Sequence, residues 1–93
     1  MEYEWDEVKH ESNLLKHGLD FSDADLVLNI RTSLRLRVRT AQEMRWKDVA
    51  PVESVMVTLT LIYTYRQQRV RVISLRKASQ RKRKMYDEWI HTP

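Results

Sequence analysis

Cysteine is absent from this chain of 93 residues. That excludes a disulfide framework, a thiolate nucleophile and a cysteine-based zinc site, and it suits a reducing cytoplasm. Glycine occurs once, as Gly18, which excludes phosphate-cradling loops of the Walker or Rossmann kind. Long apolar runs are missing as well. The longest, Val55–Tyr63, carries two threonines and falls far short of the roughly 20 residues that cross a bilayer. The first residues are acidic rather than basic and apolar, so no secretory signal is expected.

Acids are scarce in the later part of the chain. Residues 1–30 hold eight acids against two bases, and residues 31–93 hold five acids against fifteen bases. The overall charge of +4 therefore conceals an acidic start of −6 and a basic remainder of +10. Such a split points to a polyanion partner for the basic part, or to an unevenly charged but merely solvated surface. The length predicts one domain, residues 1–93, with a single modest core.

Alternation and capping signals divide the chain. Met1–Trp5 reads as a short first strand. Asp6 is a good N-cap for a helix over Glu7–His17, with Val8, Ser12 and Leu15 on one face. Gly18 takes the position after that helix, where a left-handed backbone is needed. Ser22 reads as the cap of a second, short helix ending near Asn29, with Phe21 and Leu26 as a hydrophobic staple. Arg31–Thr40 is a strand candidate with apolar Leu34, Leu36 and Val38 opposed to Arg35, Arg37 and Arg39. Met44–Val49 follows as a strand that Pro51 is expected to end. Val55–Tyr65 alternates over its whole length, and Arg69–Leu75 resumes the alternation after Arg66-Gln67-Gln68, making a hairpin. Ser79 caps a terminal helix over Gln80–Ile90, whose apolar face is Ala78, Met85, Tyr86 and Trp89, with Ile90 nearby. Helices and strands are segregated along the chain. The expected class is α+β, a small antiparallel sheet packed by two N-terminal helices and one C-terminal helix.

The histidines do not make a metal site. His10 and His17 stand two helical turns apart, about 10 Å along the axis, and no cluster of acids and histidines has ligand spacing. No metal and no cofactor is expected. The arginines are the richer signal. Arg66, Arg69, Arg71, Arg76 and Lys77 lie on or just after the hairpin, and guanidinium matches phosphate oxygens bidentately. Cleaving RNA without a metal needs such cations, together with a base for the 2′-hydroxyl and an acid for the leaving oxygen. A histidine, a glutamate, Lys77, Tyr63 or Tyr86 could fill those two roles. By spacing alone, the arginines fit a solvated sheet face equally well. His17 fits a cation at a helix end, and Tyr86 and Trp89 fit the core.

Taken together, these pieces resemble the BrnT family of bacterial type II toxins. The residues that carry the resemblance start with Trp5-Asp6, Lys9, Asn13, Lys16-His17-Gly18 and Phe21. They continue with Glu43, Arg45, Trp46, Tyr63-Thr64 and Arg66. Arg69-Val70-Arg71-Val72-Ile73-Ser74, Arg76-Lys77-Ala78-Ser79, Arg83 and Tyr86-Asp87 complete the set.

The resemblance implies a RelE-like fold and a cytoplasmic, metal-independent endoribonuclease that inhibits translation. It also implies a BrnA-like antitoxin with a ribbon–helix–helix part, an RNA substrate, and operator DNA bound only through that antitoxin. Carried onto this chain, it places Arg66, Arg71, Arg76 and Lys77 at the phosphate, with His17 and Glu43 as further catalytic contributors. One departure stands out. Arg81-Lys82-Arg83-Lys84 puts Lys82 where the family usually has a glutamate. A member weakened at that point would act as antitoxin partner and co-repressor without cleaving RNA. A plain nucleic-acid-binding module is the third reading.

Overall fold

The computed structural model describes residues 2–93, so the expected strand residue Met1 lies outside the described residues. Five strands form one sheet in the order β1-β5-β4-β3-β2. They are β1 (Tyr3–Trp5), β2 (Leu34–Arg39), β3 (Met44–Val52), β4 (Val57–Arg66) and β5 (Arg69–Lys77). The last four make an antiparallel meander, and β1 adds parallel to β5 at the edge. The sheet is therefore mixed within the expected α+β class. Three α-helices flank it: α1 (Glu7–His17), α2 (Asp25–Leu28) and α3 (Gln80–Ile90).

Alternation puts one set of side chains on a first face. Leu59, Leu61 and Tyr63 of β4 stand beside Val70, Val72 and Leu75 of β5 and Ala50 and Val52 of β3. Phe21, Ala24 and Val27 close over them, and all are buried. Asp48 belongs to this face and is fully buried. Its carboxylate takes a fork from Arg35 at 3.0 Å and the Tyr63 hydroxyl at 3.1 Å, so the buried charge is both paired and hydrogen-bonded. The Tyr63 phenol is pushed above its ordinary pKa by burial and then by the Asp48 charge. That removes it as the acid of a reaction, and its buried ring cannot stack on a base. The Tyr86 hydroxyl is likewise committed, donating to the Thr32 carbonyl at 2.9 Å.

One irregularity decides what the other face presents. Ile62 pairs with Ser74, but the next residue, Tyr63, pairs with Val72. Ile73 is thus an extra residue, a β-bulge. The inward positions on β5 step from Val72 to Leu75 instead of by two. Arg71 and Arg76 are five apart and would occupy opposite faces of a regular strand. The bulge brings both to the second face, opposite Thr64 and Thr60 respectively.

The caps of α1 and α3 form as expected. Asp6 accepts from the Val8 and Lys9 amides, Gly18 takes the left-handed backbone at φ 67°, and the Ser79 hydroxyl accepts from the Lys82 amide. Five other expectations are corrected. Ser22 caps nothing: Asp20 accepts from the Ser22 amide, residues 21–23 form a single 3-10 turn, and α2 follows from Ala24 with no side-chain cap. Pro51 does not end β3, which runs on to Val52 with Pro51 opposite Thr58. Pairing with β2 stops at Val49, so Pro51 sits where β3 has a free side and its missing N–H costs little. Glu53–Val55 forms a 3-10 turn, so β4 begins at Val57. Finally, α1 is rotated from the expected face. Val8 and Leu15 are 75% and 89% exposed, and Asn13 is the buried residue. On α3, Tyr86 is buried as expected, but Trp89 and Ile90 are substantially exposed.

Asn13 explains the rotation. Beyond the short β1, the outer edge of β5 would leave the Leu75 backbone unpaired. The Asn13 carboxamide donates to the Leu75 carbonyl at 2.7 Å and accepts from its amide at 3.2 Å. It donates a second bond to the Leu19 carbonyl at 3.0 Å. One side chain thus continues the ladder where the strand has run out.

Candidate active site

Three of the arginines expected at a phosphate project from the second face, and acids meet two of them. The Glu43 carboxylate accepts from Arg45 at 3.0 Å and from Arg66 at 3.5 Å. Glu4 of β1 accepts from Arg71 at 2.7 Å. Arg69 is paired in the same way with Glu2 at 2.9 Å. The acids of the N-terminal segment are thus spent on the cations of the hairpin. The hydrogen bond from Arg45 holds the Glu43 carboxyl below its ordinary pKa, which makes it a weak base near neutrality.

Arg76 is different. It lines an open groove of about 270 Å³ between α1 and β5, together with Lys9, Ser12, Asn13, Lys16, His17, Ile73 and Ser74. Lys9, Ser12 and Lys16 are spaced by three and four and so share one face of α1. The groove holds three cations and a histidine, and no acid lines it. A second hollow of about 250 Å³ adjoins it, lined by Thr60, Arg76, Lys77, Ser79 and Lys82. Arg76 borders both.

Of the residues expected at the site, then, His17 and Arg76 meet in one groove, and Lys77 lies in the hollow beside it. Arg66 and Glu43 form a separate pair by the hairpin turn, and Arg71 sits between, held by Glu4. Ser12, Ser74 and Thr60 were not anticipated, while Lys82 was noted only as the departure from the family pattern. The spacing Lys9–Ser12–Lys16 was a readable signal for the α1 side of the groove, while Ser74 and Thr60 depend on the bulge and the register.

His10 belongs to the fold and not to the groove. Its ring stacks on Phe21 and tilts against Trp5. Nδ1 lies 2.8 Å from Glu7 and Nε2 lies 2.9 Å from Asp20. Two carboxylates at two ring nitrogens fit the imidazolium, which donates from both. The Glu7 contact raises the His10 pKa first, and burial opposes it. Hydrogen bonds lower the carboxyls of Glu7, chiefly from His10, and of Asp20, chiefly from the Ser22 amide. A raised histidine contributes stability that is full below its unfolded value, about 6.5, and is lost as pH rises through the folded value. The melting temperature is therefore expected to fall from pH 6.5 upward, and His10→Gln to flatten that slope in thermal scans. An equal slope in both proteins would show that His10 is not charged in the fold.

Among the described residues, no group of three or more acids, histidines or cysteines is placed to hold a metal ion. No described helix is long and apolar enough to cross a membrane. The protein is a small α+β domain with a carboxylate-free cationic groove at one sheet edge. The family model described as ribonuclease toxin, BrnT, of type II toxin–antitoxin system matches residues 5–82. The chain belongs to this family of toxin ribonucleases. No curated protein matches the chain.

Proposed function

We propose that this protein is a metal-independent endoribonuclease that slows translation when it is free of its antitoxin, and that its reaction site is the groove between α1 and β5. The observation that supports the placement is the meeting of His17 with Arg76, Lys9 and Lys16 in a groove without acids. Imidazole both accepts and donates a proton, so His17 takes the proton of the attacking 2′-hydroxyl and returns one to the leaving 5′-oxygen. Arg76, backed by the two lysines, binds the phosphoryl oxygens and stabilises the charge that develops on them. Lys77 extends the cationic strip. Arg71, paired with Glu4, and Arg66, which shares Glu43 with Arg45, guide the strand along the sheet.

An antitoxin of the BrnA type, with a ribbon–helix–helix part that also binds operator DNA, is the partner that the family implies. The setting is the cytoplasm, and the fold is the RelE-like one of that family. The purified protein is expected to cleave RNA in EDTA. Cleavage that required added divalent metal would overturn this reading. The pairing of Arg66, Arg69 and Arg71 with acids favours a second reading, a partner and co-repressor without activity. In that case expression without the antitoxin would leave growth unchanged.

A further inference from the structure

We propose that the hollow at the N-terminus of α3, formed by Thr60, Arg76, Lys77, Ser79 and Lys82, is a subsite for a phosphate group of RNA next to the one being cleaved. The identity of the ligand rests on the ribonuclease reading above, whereas the preference for phosphate rests on the hollow itself.

Thr60 carries the first argument. It is 2% exposed, and its hydroxyl has no hydrogen-bond partner. Of the buried side-chain oxygens and nitrogens among the described residues, it is the one left unsatisfied. A buried hydroxyl in that state is destabilising and calls for an acceptor. Thr60 lies directly opposite Arg76 in the ladder and lines the hollow. A phosphate bound there takes the guanidinium, and rotation about the Thr60 Cα–Cβ bond turns the unsatisfied hydroxyl to a phosphate oxygen.

Helix α3 carries the second. It runs for 11 residues from Ser79 and has no acid in its first turn. Its opening sequence, Gln80-Arg81-Lys82-Arg83-Lys84, gathers cations where the helix dipole is already positive. That arrangement is unfavourable unless an anion sits at the helix start. The Ser79 hydroxyl takes the Lys82 amide, leaving the amides of the first turn before it to face a ligand.

Charge is the third. None of Arg76, Lys77 and Lys82 is within ion-pair distance of a carboxylate among the described residues, in contrast to Arg35, Arg45, Arg66, Arg69 and Arg71. Burial, followed by repulsion from Lys47, Arg81 and Arg76, lowers the Lys82 ammonium below its ordinary pKa. Uncompensated cations converge on this hollow and want an anion. Because Arg76 borders both the hollow and the groove, one RNA strand can place neighbouring phosphates on either side of it.

The test is a titration followed by amide NMR. Inorganic phosphate, a 3′-phosphorylated dinucleotide and the same dinucleotide without that phosphate are each added to the full chain. Saturable shifts are expected at Thr60, Ser79, Gln80 and Lys82, with the phosphorylated dinucleotide binding tightest. Thr60→Val and Lys82→Gln are each expected to weaken it about tenfold, the loss of one hydrogen bond to a charged group. Thr60→Ser, which keeps the hydroxyl, is expected to bind as the parent does. Lys82 is only half-buried, so Lys82→Gln gives the same readout should Thr60→Val fail to fold. Non-saturating shifts spread over all the basic residues, or affinities unchanged in both variants, would overturn the proposal. Tighter binding of inorganic phosphate than of the dinucleotide would overturn its assignment to RNA. RNA cleavage in EDTA, measured separately on the parent protein, tests the ribonuclease reading, and its absence would leave saturable phosphate binding at the hollow standing.

Discussion

Arg76→Ala is expected to reduce RNA cleavage by about 10²- to 10³-fold, the usual effect of removing a preorganised donor from a developing oxyanion. Its melting temperature should scarcely move, because Arg76 is exposed and makes no ion pair among the described residues. Arg66→Ala and Arg71→Ala set the comparison. Each of these arginines already spends its charge on a carboxylate, so each should cost about tenfold or less, in the manner of an exposed ion pair with a weak net field. Single-turnover cleavage of a short RNA ranks the three. Equal losses at all three positions would move the reaction toward the hairpin turn and away from the α1 groove.

The largest effect on stability is expected at Asn13. Replacing it by alanine removes three short hydrogen bonds to buried or half-buried backbone groups. It also leaves the Leu75 amide and carbonyl without partners in the protein. At about 1 kcal/mol per bond, the cost is on the order of 3 kcal/mol. In a domain of this size that lowers the melting temperature by roughly 15 °C. Asn13→Asp tests the geometry separately. It retains the acceptor for the Leu75 amide but turns the donor facing the Leu75 carbonyl into a repelling oxygen, so it should be no better than alanine. A melting temperature within a few degrees of the parent for either variant would mean that α1 is held chiefly by other contacts.

Much of this architecture was written locally. Asp6, Gly18 and Ser79 mark helix ends because each satisfies or frees a backbone group within a few residues of itself. The hairpin is legible for the same reason, and its connection is a two-residue turn in which Gln67 and Gln68 both take positive φ. Glycine would adopt that geometry more readily. What was not legible depends on partners distant in sequence. The three bases Arg66, Arg69 and Arg71 looked like an open polyanion surface. Their acids lie 23 residues away in Glu43 and near the N-terminus in Glu2 and Glu4. The helix α1 looked amphipathic with Val8 and Leu15 inward, because an asparagine is not a core residue until a strand edge needs one. Ser22 was read as a cap, but the carboxylate of Asp20 accepts from the Ser22 amide and starts the turn two residues earlier. For the groove, His17 and Arg76 were both named from the chain, but nothing in their separation showed that they would meet.

The bulge at Ile73 bears on how such a surface can change over time. Two-residue alternation is a code with two frames, and one inserted residue switches frame for everything after it. Upstream of Ile73 the even-numbered positions of β5 face the core. Downstream, the odd-numbered ones do. A strand that kept all its residues but lost the bulge would exchange Leu75 for Arg76 in one step, drowning a charge in the core and exposing an apolar side chain, whereas deletion of Ile73 itself would leave a regular strand with both faces unchanged. Ordinary substitution can alter each cation of the groove singly. Whether the end of β5 displays any of them depends on residue count and bulge together, which makes the bulge a constraint on strand length and pairing rather than on residue type.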